Sequence, residues 1–289
     1  MRETTPPVAR YRGRFAPSPT GPLHLGSLTA ALASYLDAQH HNGDWLLRLE
    51  DIDPPREVEG AATGILNCLA AHGLKSANDT IWQHNNWDQY RAMCLKLLNT
   101  GHAFYCQCPR RHQDELGRCV DDCKRRDLEA PGNNLRVTLP TKNLDFADRI
   151  YGLVPAPTHN FDNAILWRRD DLPAYLLAVV VDDIDSDINH IVRGDDLLHE
   201  THRQLALYQL LGKAAPKYAH IPVVLNAEGK KLSKQTGAQG LDNTQALWNL
   251  QRAAQHLGLD VSPHEAQNHP LALLEYALQH WRLPSARLQ

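Results

Sequence analysis

Two segments of the chain concentrate residues suited to holding a nucleotide. The first, Arg14-Phe15-Ala16-Pro17-Ser18-Pro19-Thr20-Gly21-Pro22-Leu23-His24-Leu25-Gly26-Ser27, runs from a short strand through a Pro/Gly turn into an amphipathic stretch, Leu28 to Leu36. Backbone N–H groups and His24 then stand at a helix N-terminus, where unpaired amides and the helix dipole favour phosphate. Far downstream, Lys231-Leu232-Ser233-Lys234-Gln235 follows Gly229 and sets two lysines and a serine in a loop. Such a loop suits a mobile arm that brings positive charge onto a triphosphate.

A second constellation is built from sulfur. Cys106-x-Cys108 is followed by Cys119-x3-Cys123, four thiols whose short spacings suit a tetrahedral zinc ion. Four protein ligands leave no position for water, so such a zinc would be structural. The competing arrangement treats one pair as incidental and takes His112 as a substitute ligand. Arg110, Arg111, Arg118, Lys124, Arg125 and Arg126 are interspersed with Asp114, Glu115, Asp121 and Asp122, the composition of a solvated face. On a knob pinned by metal, the same charges also suit an RNA backbone. Cys68 and Cys94 lie in apolar helical spacing and read as buried free thiols.

The elements that must position these groups follow from periodicity. Residues 14 to about 82 read as strand, helix, strand, helix: Trp45 to Leu49 is a short apolar run before the acidic Glu50-Asp51-Ile52-Asp53, and Glu57 to Ala71 has helical spacing. A helix is expected around Trp87 to Asn99, and Tyr175 to Asp183 is a β-branched run that ends in carboxylates. The α/β pattern resumes with Ile191 to Gly194, a helix from Thr201 to Leu211 and a strand from Ile221 to Leu225. Leu247, Leu250, Ala254 and Leu257 share one helical face before Gly258 stops it. The expected division is a first half of a nucleotide-binding sheet (1–82), an inserted domain with the four cysteines (83–187), a second half with the lysine loop (188–240) and a C-terminal helical region (241–289).

Bulk properties set limits on this reading. The 289 residues carry a net charge of −3, so any RNA contact must use a local patch. No apolar run reaches the roughly 18 residues of a membrane span, and residues 1–12 have no apolar signal core. A cytoplasmic protein with reduced thiols is expected.

The first segment resembles the HIGH signature and the second the KMSKS signature of class I aminoacyl-tRNA synthetases, and the stretch from Arg14 to Gly26 looks glutamyl. Leu25, Ser27, Leu232 and Gln235 depart from those signatures, while His24 and Lys234 are retained. The resemblance implies an α/β fold whose Rossmann-like parallel sheet is split by a zinc-containing insertion. It also implies activation of L-glutamate by ATP with Mg2+, with His24, Gly26 and Lys234 at the ATP and His24 and Lys234 in catalytic roles. A glutamate pocket needs anchors for two carboxylates and an acid for the ammonium. By the same resemblance Arg14, Phe15, Ala16, Pro17, Ser18, Glu50, Tyr175 and Arg193 line it, with the choice of arginine for each carboxylate left open.

Only 54 residues follow Gln235, too few for the long helical anticodon-binding region of full-length glutamyl-tRNA synthetases. With the cysteine-pair insertion, the chain resembles the glutamyl-queuosine tRNA(Asp) synthetase family, which activates glutamate without tRNA and transfers it to the queuosine base in the anticodon of tRNA(Asp). The implied partners are ATP, L-glutamate and that tRNA, with a monomer as the working form. Three alternatives compete: a glutamyl-tRNA synthetase lacking its anticodon-binding domain, an inactive tRNA-binding paralogue, and a zinc-dependent hydrolase.

Overall fold

The computed structural model describes residues 10–109, 112–114, 118–119, 121–157, 163–226, 229–232 and 239–286. Arg12–Phe15 forms β1, and Leu25–His40 forms α1, which is longer at both ends than the Leu28–Leu36 stretch expected from amphipathicity. The helix starts where it does because the His24 side chain caps it, its Nδ1 accepting the Ser27 N–H at 3.2 Å. Asp44–Leu49 (β2) follows, and then α2, which runs from Ala61 to Ala71. Helical spacing begins at Glu57, but Gly60 sits at φ +75° and turns the chain just before α2. Ile81–Trp82 is β3, and α3 spans Trp87–Asn99 as the sequence predicts.

Beyond α3 come Ala103–Cys106 (β4), Asn134–Val137 (β5), Phe146–Asp148 (β6), Gly152–Val154 (β7) and Ala164–Trp167 (β8). The run from Tyr175 is helical, forming α4 (Tyr175–Asp185). Leu176 to Asp183 are all buried there, and packing on several sides overrides the extended preference of the three consecutive valines. His190–Gly194 (β9), Thr201–Leu210 (α5), Lys217–Ile221 (β10), Ala246–His256 (α6) and Pro270–Gln279 (α7) complete the chain. The strand expected over Ile221 to Leu225 therefore ends where it was to begin. Pro222 has no N–H for a ladder, and the residues after it turn away as a loop.

β1 pairs in parallel with β2, and β2 with β3; β10 pairs in parallel with β9 on one side and β6 on the other. The Asn189 N–H donates to Arg12 O at 3.0 Å, which sets β9 beside β1 and joins the two sets of strands edge to edge. Residues 146–154, inside the range expected for the insertion, add β6 and β7 to this sheet. A separate antiparallel sheet, β4-β5-β8, carries the cysteines.

The parallel strands have two unlike faces. Phe15, Trp45, Leu47, Val192, Ala219 and Ile221 pack against apolar residues of α1, α6 and α7 in one large core. The opposite face presents Arg14, Arg48, Arg193, Tyr218 and His220, all buried, toward α4 and α5. A second core joins α3, α4 and α5 to the antiparallel sheet. No helix among the described residues is long and apolar enough to cross a membrane.

Candidate active site

A cleft of about 590 Å3 opens at the C-terminal ends of β1, β9 and β10. It lies where strand order reverses between β1 and β9, the position at which open α/β sheets bind ligands. Phe15 to Ser18 line one wall, His24, Gly26 and Ser27 the helix terminus, and Gly194, Pro222, Lys231 and Leu232 the far side. Gly26 is there for space. A Cβ at that position would lie 3.1 Å from His24 Cε1 and 3.4 Å from Leu232 O, crowding the ring and the lysine-bearing segment at once. That segment folds back as a hairpin, with Leu232 N–H on Val224 O at 2.8 Å and Lys231 Nζ on Asp196 at 2.5 Å. Lys234, with Ser233 and Gln235, lies outside the described residues.

A smaller pocket of about 290 Å3 shares Ser18 and Thr20 with this cleft and is lined further by Glu50, Gln83, Arg168 and Tyr175. Glu50 follows β2 and is fixed to the first segment by its N–H on Pro17 O at 3.0 Å. Burial raises its carboxyl pKa above the usual range, although Arg48 and Arg14 pull the other way. Tyr175, 36% exposed, begins α4. Burial and then Glu50 raise its phenol, while Arg193 and Arg14 act on it in the opposite sense.

Beneath the pocket is a layer of buried charge that sequence reasoning does not find. Asp183 Oδ1 accepts from Arg14 Nε at 3.2 Å and from Arg48 Nη1 at 2.6 Å, and Arg48 Nη2 reaches Glu50 at 3.3 Å. Burial alone would raise the Asp183 pKa, but the two arginines hold it below the carboxylate range. Asp182 takes hydrogen bonds from Gln83 Nε2 (2.6 Å), Asn86 Nδ2 (2.8 Å) and Tyr90 OH (2.8 Å). Arg193 is held differently, by His220, Thr201 and Leu197 O. The clue available in sequence was alternation: Leu46, Arg48 and Glu50 share one face, as do Tyr218 and His220.

The four cysteines are brought together. All four Sγ atoms lie within 4.8 Å of one another, with Cys108 at 3.6 Å from Cys119 and 3.5 Å from Cys123, and none forms a disulfide. A tetrahedral ion bound through sulfur at about 2.3 Å separates its ligands by roughly 3.8 Å, so the group fits a metal ion. Burial raises the Cys119 thiol to about 11, a cost that a bound cation would remove. Among the described residues His112 belongs to no such group; its Nδ1 lies 3.9 Å from Asp121.

Residues 10–255 match the family described as tRNA synthetases class I (E and Q), catalytic domain, and the chain belongs to that family of ligases. Among curated proteins, it is 44% identical to the glutamyl-Q tRNA(Asp) synthetase of Pectobacterium atrosepticum, over 97% of this chain and 88% of that one. It is 41% identical to the protein of that name from Vibrio parahaemolyticus, over 96% of this chain and 94% of the other. Two solved structures are similar at 25% identity. A glutamate tRNA ligase from Elizabethkingia meningosepticum, in complex with its amino acid, has a TM-score of 0.78 over 97% of this chain and 67% of its own. The glutamate-tRNA synthetase of Elizabethkingia anophelis has a TM-score of 0.76 over 92% of this chain, which spans 65% of that longer protein.

Proposed function

We propose that this enzyme activates L-glutamate with ATP, in the absence of tRNA, and transfers the glutamyl group to the queuosine base of tRNA(Asp). The observation that carries the reading is the pairing of a helix-terminus cleft with a smaller pocket lined by Ser18, Glu50 and Tyr175, whose tyrosine feels the charge of the buried Arg14 and Arg193, in a chain matched along nearly its whole length by glutamyl-Q tRNA(Asp) synthetases. In the first step the glutamate α-carboxylate attacks the α-phosphorus of ATP. The bond to pyrophosphate breaks, leaving glutamyl-adenylate. In the second, the base attacks the acyl carbon and AMP departs.

The nucleophile of the first step is already an anion, so catalysis rests on positioning and on stabilising charge. His24 Nδ1 is engaged by the Ser27 N–H, so the ring proton sits on Nε2, a donor for a phosphate oxygen. Lys234 supplies charge as pyrophosphate leaves, and Mg2+ accompanies ATP. Removing a preorganised donor of this kind slows turnover by about 100- to 1000-fold. Arg14 and Arg193 take the two carboxylates of glutamate, Glu50 its ammonium, Tyr175 and Ser18 hydrogen-bond to it, and Phe15, Ala16 and Pro17 shape the wall. Cys106, Cys108, Cys119 and Cys123 hold one zinc ion, which stabilises the fold around β4.

The deciding assay measures transfer of radiolabelled glutamate to tRNA(Asp) with and without queuosine, beside pyrophosphate exchange without tRNA. Exchange together with transfer only to queuosine-containing tRNA(Asp) is expected. Charging of unmodified tRNA(Glu) would reassign the enzyme to the glutamyl-tRNA synthetases.

A further inference from the structure

Arg193 differs from the other buried arginines of the polar face in having only neutral contacts. Arg14 and Arg48 share the carboxylate of Asp183, whereas the Arg193 guanidinium donates from Nε to His220 Nε2 at 3.0 Å and from Nη2 to Thr201 Oγ1 at 2.8 Å and Leu197 O at 3.4 Å. Among the described residues no carboxylate lies within ion-pair distance of it, and its Nη1 is buried without a partner. The Tyr218 ring covers it from one side at 5.2 Å. One edge of the fork is thus clamped and one nitrogen is left over. An unpaired charged donor in a buried site calls for an acceptor that arrives with the substrate.

The clamp has its own support. His220 Nδ1 donates to Asp148 Oδ2 at 2.7 Å, and Asp148 Oδ1 accepts the N–H groups of Ile150 (2.8 Å) and Tyr151 (3.0 Å). Arg193 is 5% exposed, His220 and Thr201 0%, and Asp148 4%. A carboxylate surrounded by donors accepts and does not donate, so the imidazole proton stays on Nδ1 and Nε2 keeps its lone pair. That lone pair is what the Arg193 Nε–H requires. The other tautomer, or the imidazolium, would set N–H against N–H and turn the guanidinium away. β6, β10 and β9 stand side by side in the sheet; His220 is opposite Arg193, and Asp148, opposite Tyr218, reaches His220 on the diagonal and also accepts its backbone N–H at 3.2 Å.

We propose that Asp148, His220 and Thr201 are positioning residues that fix the tautomer and the aim of this chain, so that Arg193 presents Nη1 to a carboxylate of the substrate. The proposal rests on glutamate as the substrate. It assigns to β6, a strand remote in sequence from both signature motifs, a share in amino-acid binding.

The test is pyrophosphate exchange with glutamate and ATP varied separately, on wild type, His220→Leu, His220→Gln and Thr201→Val, with thermal unfolding of each. His220→Leu should raise the KM for glutamate by ~10-fold or more and leave the KM for ATP within about twofold, because the lost interaction orients only the amino-acid site. His220→Gln, whose carbonyl oxygen reaches toward the Nε2 position, should recover most of that loss. Thr201→Val is nearly isosteric and should raise the glutamate KM by about fivefold at an unchanged ATP KM. If His220→Leu does not fold, the split in Thr201→Val decides. A folded variant with an unchanged glutamate KM, or with both KM values rising together, overturns the proposal. Failure of the wild type itself to catalyse glutamate-dependent exchange would overturn the substrate reading and this proposal with it, and is distinguished by arising before any substitution is made.

Discussion

Arg14 and Asp183 are joined by a 3.2 Å ion pair with both side chains buried, one on the polar face of β1 and the other on α4. The same carboxylate oxygen holds Arg48 at 2.6 Å, so both guanidinium groups share Asp183 beneath the smaller pocket, with Glu50 at 3.3 Å and Asp182 at 3.7 Å as further partners of Arg48. Replacing Asp183 by Asn takes from Arg14 the carboxylate it is paired with in a dry environment and weakens the pairing of Arg48. Breaking one partner of a buried pair costs about 3–5 kcal/mol. Urea unfolding of Asp183→Asn should show a loss of that size, with a raised glutamate KM in whatever fraction folds; a loss of unfolding free energy below about 1 kcal/mol would contradict the role given to this acid.

Gly26 is a test of the cleft that leaves the core alone. Alanine in a helix is intrinsically favoured over glycine by about 1 kcal/mol, yet here its methyl would press on the His24 ring and on Leu232 O. Gly26→Ala should therefore keep or slightly raise the melting temperature while weakening ATP, with the KM for ATP up by about tenfold. Equal loss of stability and activity would point to a folding defect instead.

The thiol cluster predicts a metal stoichiometry. Purified protein should hold one zinc ion per chain by atomic absorption, and Cys108→Ser should lose it together with thermal stability. Cys108 is chosen because it is fully buried and touches both Cys119 and Cys123. Activity should fall only as far as folding does, since four thiolates leave no open coordination position. A native protein without metal would refute the assignment.

Acid should unfold the protein in two stages. His72, His190, His202 and His220 are kept neutral in the fold, burial being the first cause in each case, with His190 lowered to about 4. An unfolded chain takes up protons at these sites near pH 6.5, so stability present above that value is lost as pH falls through the folded values. Asp37, Asp148 and Asp183 are held below the carboxylate range by their donors in spite of burial, and add a second loss below about pH 4. Glu50 runs the other way: burial raises its pKa, so its contribution is fully present at low pH and declines as pH rises through the folded value. Calorimetry between about pH 8 and 4 should show a melting temperature that declines below about pH 6.5. A flat profile down to about pH 5 would contradict the buried-neutral histidines.

Much of this architecture can be read from periodicity, and the exceptions have physical causes. α3 has the expected bounds because one apolar stripe, Tyr90, Cys94 and Leu97, is enough to define a helix against solvent. β10 was displaced because Tyr218-Ala219-His220 carries its polar side chains into a buried layer, where apolar patterning sees no strand. For the same reason Arg48, Asp148 and His220 drew no attention, while Asp183 and Thr201 read in sequence only as the end of an apolar run and the start of a helix. Their significance lies in partners distant in sequence, which no local window contains. Of the residues the resemblance names, His24 and Gly26 line the cleft and Ser18, Glu50 and Tyr175 the smaller pocket, while Arg14 and Arg193 line neither and lie buried in the charged layer, acting on Tyr175 through their charge.

The two unlike faces of the central sheet make the even and odd positions of each strand separable by experiment. Along β1 and β2 the residues numbered 12, 14, 46 and 48 point to the charged layer and their neighbours to the apolar one; along β10 the even numbers do so, and along β9 the odd. A substitution scan read out for exchange per folded molecule should therefore oscillate with a period of two along these strands, with turnover most sensitive at Arg14, Arg48, Arg193 and His220. Folded yield should respond on both faces, at Phe15, Leu47, Val192 and Ala219 through lost apolar packing and at Arg14 and Arg48 through broken buried ion pairs.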